Sequence, residues 1–118
     1  MYPGIDIINI ERFAKACERR PRLKERLFTV RERADLNKRP TPSWAARFAG
    51  KEAILKTFGT GLVGLSWHDI EILTEESGEP CVYLSARAEG LVRKRGGSLV
   101  RLSLSHEQEY AIGMAILV

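Results

Sequence analysis

Three short segments of the chain carry side chains that could do chemistry. In the first, Asp6 lies between Ile5 and Ile7 in an otherwise apolar run. A carboxylate in such a strand is at least half-buried, and burial without a partner is costly. Asp6 therefore needs a cation, a metal ion or the amino terminus of the following helix. Capping that helix is the simpler interpretation.

The second segment is a predicted helix over residues 42–58. Ala45, Ala49, Glu52 and Lys56 share one face of it, at spacings of four, three and four residues. The two alanines keep this face low, so that a ligand or another backbone segment could approach closely. Glu52 and Lys56 also form an ordinary i,i+4 helix pair, which is the simpler interpretation.

The third segment, residues 103–107, reads Ser-Leu-Ser-His-Glu and places hydroxyls, an imidazole and a carboxylate between two predicted strands. A serine and a histidine two or three residues apart are too close for a hydrolase triad assembled from separate elements, so a nucleophilic serine is excluded. His68, inside a predicted strand, is interpreted as structural.

Together these groups suit a metal ion and a phosphate ester. Arg47, Lys51 and Lys56 supply donors for phosphate oxygens. Mg²⁺ typically takes one or two protein carboxylates and completes its octahedron with substrate phosphate and water. Asp6 and Glu52 could provide those carboxylates, although no one of these signals is specific by itself.

Length and composition limit the class of protein. The chain has 118 residues and a mass of 13.3 kDa, with 44% hydrophobic and 29% charged residues, which indicates one globular domain over residues 1–118. No apolar run is long enough for a membrane span, and no secretory signal is evident. Two cysteines give no disulfide scaffold, so a reduced, cytoplasmic location is expected.

The net charge of +4 is unevenly distributed. Residues 11–39 hold eleven Lys and Arg against five Asp and Glu, a net charge of +6, whereas the rest of the chain sums to −2. Such a local excess favours an acidic partner, namely nucleic acid, membrane phosphate or an acidic protein. A solvated helix face is the simpler alternative.

The predicted elements alternate in an α+β order. The helices cover residues 10–20, a short stretch from Val30, residues 42–58 capped by Thr41, and a stretch from Ser85 to Arg95. The strands cover residues 4–8, 67–73, 81–84, 99–104 and 110–118, and residues 105–109 connect the last two. The order β-α-α-α-β-β-α-β-β predicts an α+β fold with a mainly antiparallel sheet packed against helices.

Three blocks of residues carry a family resemblance. They are Gly4-Ile-Asp6, the run from Arg47 to Lys56 (RFAGKEAILK) followed by Phe58-Gly-Thr-Gly61, and Ser103–Glu107 followed by Tyr110-Ala111. In this order and spacing, and over essentially the whole chain, they resemble the holo-[acyl-carrier-protein] synthase family. These are small trimeric 4′-phosphopantetheinyl transferases. The chain departs from the family at Gly50, where Ala is usual, at a helix cost of up to about 1 kcal/mol.

The resemblance implies the 4′-phosphopantetheinyl transferase fold and its reaction. Coenzyme A binds between two subunits of a homotrimer, and Mg²⁺ is held by Asp6, Glu52 and the coenzyme A pyrophosphate. The serine of an apo acyl carrier protein attacks the β-phosphorus, and adenosine 3′,5′-bisphosphate leaves. The reaction serves fatty acid biosynthesis.

The resemblance also implies individual roles. Glu52 is expected to be the general base through a water on the metal, and Lys56 to stabilise or protonate the leaving phosphate. Arg47 and His106 are expected near the nucleotide phosphates, with His106 reaching across from a neighbouring subunit. The loop of Gly59, Thr60 and Gly61 is expected to let backbone approach coenzyme A.

The basic segment then becomes a docking surface for the acidic carrier protein, with no role for nucleic acid or membrane. The positions expected to contact the carrier are Arg12, Arg19, Arg22 and Arg26. A transferase for polyketide or peptide synthase carrier domains is an alternative. A basic nucleic-acid-binding module is a weaker one, because surface aromatics are not interleaved with the cations and Asp6 and Glu52 would have no role.

Overall fold

Five helices and five strands make up the fold. A computed structural model describes residues 1–118. In chain order the elements are β1 (Tyr2–Asn9), α1 (Ile10–Arg19), α2 (Leu23–Leu27), α3 (Val30–Leu36), α4 (Thr41–Phe58), β2 (Ile70–Thr74), β3 (Pro80–Leu84), α5 (Ala86–Lys94), β4 (Val100–His106) and β5 (Tyr110–Leu117). No helix is both long enough and apolar enough to span a membrane.

The strands form two antiparallel sheets. One has the order β1-β5-β4, and the other is the hairpin of β2 and β3. Helix α4 packs on the three-stranded sheet and also contacts β2, so that it lies at the centre of the molecule. The predicted α+β class with antiparallel pairing is confirmed.

Small residues allow α4 to lie directly against the sheet. Ala49 and Ala53 are fully buried. A Cβ atom added to Gly113 of β5 would lie 2.6 Å from the carbonyl carbon and oxygen of Ala49, and one added to Gly4 of β1 would collide with the Ala53 carbonyl. The low face that the sequence predicted is therefore covered by strand backbone at Ala49, and Ala53 beside it is covered in the same way.

Replacing Gly113 with alanine is expected to lower the free energy of unfolding by about 1–3 kcal/mol, because the added methyl group would push α4 away from β5. The matched control is Gly90 to alanine, in α5, where an added Cβ meets nothing within 4 Å. That change should stabilise the helix by up to about 1 kcal/mol. Urea unfolding of both variants measures the difference, and equal stabilities would contradict the packing described here.

Side chains from α3 and α4 bind the free edge of β2. Glu32 accepts the amide of Ile72 at 2.9 Å, and Asp35 accepts the amide of Thr74 at 2.9 Å. Arg47 donates to the carbonyl of Ile72. These side chains replace the backbone partners that a neighbouring strand would offer, and so fix α3 and α4 against the hairpin.

The ion pair of Asp35 with Arg47 is part of this network, with 3.0 Å between Oδ2 and Nη1. Burial raises the pKa of Asp35, but hydrogen bonds from Arg47 and Thr74 and the charge of Arg47 outweigh it and hold the pKa below its ordinary value. The pair therefore contributes its full stability above about pH 4 and loses that contribution as the pH falls through the lowered pKa.

Several predicted local features are confirmed. Thr29 and Glu32 form a capping box at the start of α3, and Ser85 accepts the amide of Ala88 at 3.1 Å at the start of α5. Gly59 ends α4 in the left-handed region, with φ of +75°. Each of these signals depends on residues close in the chain, which is why the sequence was sufficient to predict them.

Other predictions at the ends of elements were wrong. Thr41 is the first residue of α4, and Pro40, with no side-chain acceptor, holds the cap position. Residues 67–69 form a 3₁₀ turn, because Asp69 folds back to accept the amide of Ser66 at 2.8 Å, so the strand begins only at Ile70. Helix α2 was not predicted, since it has only five residues.

Strand β4 also runs further than predicted, through Ser105 and His106. Its ladder with β5 continues to the pair of His106 with Ala111. The predicted connection of residues 105–109 is therefore reduced to residues 107–109, where Glu107 accepts the amides of Glu109 and Tyr110 at 2.6 Å and closes the turn.

Candidate active site

Asp6 projects from β1 toward α4. Neighbouring residues of a strand point to opposite faces, so Gly4, Asp6 and Ile8 face the helix, whereas Ile5 and Ile7 are 62% and 59% exposed on the outer face. Helix α1 is capped by Asn9, whose Oδ1 accepts the amide of Arg12 at 2.9 Å. The interpretation of Asp6 as the cap is therefore wrong.

Lys56 joins the two elements. Its Nζ lies 3.1 Å from Oδ1 of Asp6 and donates to the carbonyl of Ile5 at 2.8 Å. No ion pair joins Lys56 to Glu52, one turn earlier in α4, so the interpretation of these two as a simple i,i+4 pair is also wrong. The structure thus brings Lys56 to a carboxylate 50 positions earlier in the chain.

Glu52 completes a cluster of two carboxylates and one ammonium group. Burial raises the pKa of Glu52, the charge of Asp6 raises it further, and the charge of Lys56 opposes both. Two carboxylates that repel each other this way favour a bound cation. We call Asp6, Glu52 and Lys56 the acidic cluster.

The acidic cluster suits a hard divalent cation that takes only a few of its ligands from the protein. No third Asp, Glu, His or Cys completes a ligand set within the structure. Mg²⁺ often uses only one or two carboxylates and takes its remaining ligands from phosphate oxygens and water. Zinc, by contrast, usually takes three or four protein ligands that include His or Cys. The donor set therefore suits Mg²⁺ held jointly by the protein and a phosphorylated substrate.

A glycine-rich loop begins two helical turns after Glu52, directly after the end of α4. We call residues 59–64 the glycine loop. Gly61 and Gly64 both have positive φ, +62° and +75°, and a Cβ added to either would meet nothing within 4 Å. Thr60 is exposed as well. The loop therefore presents open backbone beside Lys56, where a ligand could approach.

Arg47 lies away from the acidic cluster. It is 4% exposed, and its guanidinium donates to Asp35, to the carbonyl of Ile72 and to Thr74 Oγ1. Lys51, the other cation of this helix proposed as a phosphate donor, is fully buried against Glu32. Both side chains leave α4 on the side that packs against α3 and β2, so the expectation that they sit with Lys56 is wrong.

His106 is also separate from the acidic cluster within one chain. It pairs with Ala111 of β5, which in turn pairs with Ile8 of β1, so His106 lies two strands and two residues from Asp6. Standard sheet spacings put their Cα atoms about 12 Å apart. The imidazole is exposed at the end of β4.

The four arginines assigned to docking are exposed on the first two helices. Arg12 and Arg19 belong to α1, Arg26 to α2, and Arg22 stands between them with its side chain 90% exposed. Arg20, Arg22 and Arg26 border a shallow depression around Pro21. We call this region the basic surface.

Two contacts at the ends of the glycine loop, one in the last turn of α4 and one in the loop itself, were not predicted from the sequence. Arg95 donates to the carbonyl of Thr57 at 2.6 Å, and Arg87 donates to the carbonyl of Gly64 at 3.2 Å. Both arginines belong to the segment of α5, more than twenty residues later in the chain. No local pattern in the sequence signals such contacts.

Fold and site define the class of protein. The chain matches a family model described as the 4′-phosphopantetheinyl transferase superfamily over residues 2–115. Among solved structures it is similar to the holo-[acyl-carrier-protein] synthase of Helicobacter pylori in complex with coenzyme A, with a TM-score of 0.87 and 28% identity over 98% of this chain and 99% of that chain. The enzyme from Bacillus anthracis, in complex with CoA (3′,5′-ADP), is 32% identical over 98% and 94%, with a TM-score of 0.81.

Two named holo-[acyl-carrier-protein] synthases are similar in sequence to this chain over almost its full length. The holo-[acyl-carrier-protein] synthase of Moorella thermoacetica is 47% identical, over 97% of this chain and 91% of the relative. That of Caldanaerobacter subterraneus is 42% identical, over 100% and 94%. The chain belongs to the holo-[acyl-carrier-protein] synthase family of 4′-phosphopantetheinyl transferases, as its motifs predicted.

Proposed function

We propose that this chain, as a single domain, transfers the 4′-phosphopantetheine group of coenzyme A to a serine of an apo acyl carrier protein. The observation that carries the proposal is the acidic cluster beside the glycine loop, in a chain that belongs to this family over its whole length. A phosphoryl transfer needs positive charge and fixed geometry around the phosphates. Lys56 and a cation held by Asp6 and Glu52 would supply the charge, and the glycine loop would help to fix the geometry.

In the proposed mechanism, Asp6 and Glu52 are the residues that would hold Mg²⁺, with the coenzyme A pyrophosphate as its other partner. When bound, the cation offsets charge on the phosphates and helps to orient them. The serine oxygen forms a bond to the β-phosphorus, the bond from that phosphorus to the bridging oxygen breaks, and adenosine 3′,5′-bisphosphate leaves. Glu52 accepts the serine proton through water, and Lys56 stabilises or protonates the leaving phosphate.

The remaining assigned residues are proposed as binding groups. Gly59, Thr60 and Gly61 are proposed to offer backbone to coenzyme A. All three are exposed shortly after Lys56 in the chain, and the open space at Gly61 supports this role. A contact of Arg47 with the nucleotide phosphates stays a prediction from the family resemblance; since Arg47 is buried and already paired in this chain, it has no support from the geometry.

We propose a homotrimer with its active sites between subunits. Apolar side chains cover the outer face of β1 and β5 and remain exposed in the single chain: Ile5, Ile7, Ile112 and Met114. An apolar face of this kind is typical of a surface that another protein covers. Contact between subunits would also allow His106 to reach coenzyme A bound at a neighbouring subunit, since His106 lies far from Asp6 of its own chain.

The physiological partner is proposed to be the acidic carrier protein of fatty acid biosynthesis, in the cytoplasm. The net positive charge of residues 11–39 and the exposure of their arginines support an acidic partner. The two free cysteines are compatible with a reducing compartment. Carrier domains of polyketide or peptide synthases remain the alternative substrates, and a panel of carrier proteins distinguishes the two.

Reversing charge on the basic surface is expected to raise KM for the carrier protein. The double variant Arg19→Glu and Arg22→Glu should raise it about tenfold at low salt with kcat nearly unchanged, because it slows encounter with an acidic partner. The difference from wild type should shrink as salt is added. Arg93→Glu, the same change on α5, is the control. A KM that responds equally to both variants would contradict docking at the basic surface.

The reaction itself is tested by intact-mass spectrometry. Apo acyl carrier protein incubated with this protein, coenzyme A and Mg²⁺ should gain the mass of phosphopantetheine, and EDTA should prevent the gain. If folded protein gives no gain with any of several carrier proteins, the proposal fails. The basic surface would then be tested for plain binding, including salt-sensitive binding of oligonucleotides.

A further inference from the structure

Helix α5 and the residue after it hold both ends of the glycine loop. Two residues before the loop, in the last turn of α4, the carbonyl of Thr57 accepts a hydrogen bond from Nη1 of Arg95 at 2.6 Å. At the end of the loop, Nη1 of Arg87 donates to the carbonyl of Gly64 at 3.2 Å. The loop is thus tied at two points to a helix that contributes nothing to the acidic cluster.

The contact of Arg95 is well defined. The Thr57 carbonyl belongs to the last turn of α4, where no helical amide is available to it, so the guanidinium satisfies an otherwise free acceptor. A cation is also favourable at this end of a helix. Arg95 is itself held in place, since its Cζ lies 3.7 Å from the ring centroid of Tyr2 on β1.

The absence of a side chain at Gly59 leaves room for this contact. Its φ of +75° favours glycine, and a Cβ added there would lie 2.7 Å from Nη2 of Arg95. The glycine therefore ends α4 and also makes room for the arginine. Tyr2, Thr57, Gly59 and Arg95 form one contact group next to Lys56 of the acidic cluster.

Between its two ends the glycine loop has few contacts. Positions 61 and 64 have open space where a side chain would be, and Val63 is 80% exposed. Within the loop region one backbone bond, from the amide of Leu65 to the carbonyl of Leu62 at 2.9 Å, closes a turn. The conformation of the loop therefore depends strongly on how its ends are held.

We propose that Arg95, assisted by Arg87, is a positioning residue that sets the glycine loop for coenzyme A. This inference rests on the proposed function, because it takes the loop to be part of the coenzyme A site. The arginines touch neither the carboxylates nor the ammonium group of the acidic cluster. Their loss should therefore weaken substrate binding and leave the chemical step of bound substrate largely intact.

The test combines hydrogen exchange without substrate and steady-state kinetics. Arg95→Met keeps an unbranched, flexible side chain, although a shorter one, and removes the guanidinium donors. We expect faster exchange of the amides of residues 59–65, a KM for coenzyme A raised about tenfold, and kcat within about twofold of wild type. Arg95→Lys retains the charge and a donor nitrogen, so its KM for coenzyme A should lie between those of Arg95→Met and wild type. Arg87→Met should have a smaller effect, since its bond is longer and exposed.

Arg93→Met is the matched control, because Arg93 is exposed on the same helix and pairs only with Glu89 at 3.8 Å. It should change neither exchange nor KM. Unchanged exchange of residues 59–65 in Arg95→Met would overturn the inference, and so would a lower kcat with unchanged KM, which indicates only a loss of active protein. Faster loop exchange in a protein that transfers nothing even as wild type would support the positioning of the loop and contradict the proposed function.

Discussion

Alanine at either Asp6 or Glu52 is expected to reduce Mg²⁺-dependent transfer by at least about a hundredfold, with the fold intact. The two carboxylates lie on different elements, β1 and α4, and in the proposed mechanism each would be needed to hold a cation that takes few ligands from the protein. Intact-mass spectrometry of the carrier protein measures the rate, and circular dichroism measures the fold. Glu76→Ala, which removes an exposed carboxylate outside the site, is the control and should be fully active.

Stability and metal binding, measured separately, distinguish a loss of metal ligands from a general disruption of the fold. Asp6→Ala removes the ion-pair partner of Lys56, whose side chain is 53% exposed and can turn to solvent. Little stability should therefore be lost, since exposed pairs contribute only about 0–1 kcal/mol. Direct titration with Mn²⁺ should show weaker binding in both variants than in the control. Normal turnover in either variant would contradict the assignment of the metal ligands.

Replacing Lys51 with methionine is expected to lower the free energy of unfolding by about 3–5 kcal/mol. Nζ of Lys51 lies 2.6 Å from Oε1 of Glu32, and both side chains are fully buried. Burial lowers the pKa of Lys51, and the nearby carboxylate of Glu32 opposes that shift. Without the lysine, Glu32 would be left as a buried charge with no counter-ion.

The double variant Glu32→Gln with Lys51→Met tests the cause of that loss. It removes the unpaired charge, while the amide oxygen of Gln can still accept the amide of Ile72, which Glu32 accepts at 2.9 Å. It should be more stable than Lys51→Met alone and less stable than wild type, because the Thr29 amide also loses a charged acceptor. Urea unfolding at one fixed protein concentration measures all three, since assembly would add concentration dependence. A double variant no more stable than Lys51→Met would show that lost packing, rather than the buried charge, causes the effect.

Much of the fold could be predicted because its signals are local. The capping box of Thr29 and Glu32, the left-handed Gly59 and the cap at Ser85 each involve residues at most three positions apart. Such contacts form wherever the chain takes up that element, so they can be inferred without knowing what packs against it. The five-residue helix α2 and the 3₁₀ turn at residues 67–69 were missed, since a short segment has too few periods to show a pattern.

The sequence did not show which cations of α4 are buried and which is free. Arg47, Lys51 and Lys56 lie on one helix, and their spacing suggested three similar donors. Only Lys56 reaches Asp6, because the side of α4 that bears the other two is covered by α3 and β2. Which cation is buried and which is free depends on the elements packed against each side of the helix.

The sequence by itself determined the family, the α+β class with mainly antiparallel strands, and the candidate ligands Asp6 and Glu52, since residue types and their spacing along single elements carry that information. The tertiary structure decided which of those side chains meet. Asp6 approaches Lys56 across 50 positions because glycines at positions 4 and 113 let α4 lie directly on the sheet. Arg95 reaches Thr57 across 38 positions, and Gly59 leaves room for its guanidinium. Contacts between distant residues depend on how closely whole elements pack, and that distance is set by the helix and sheet together.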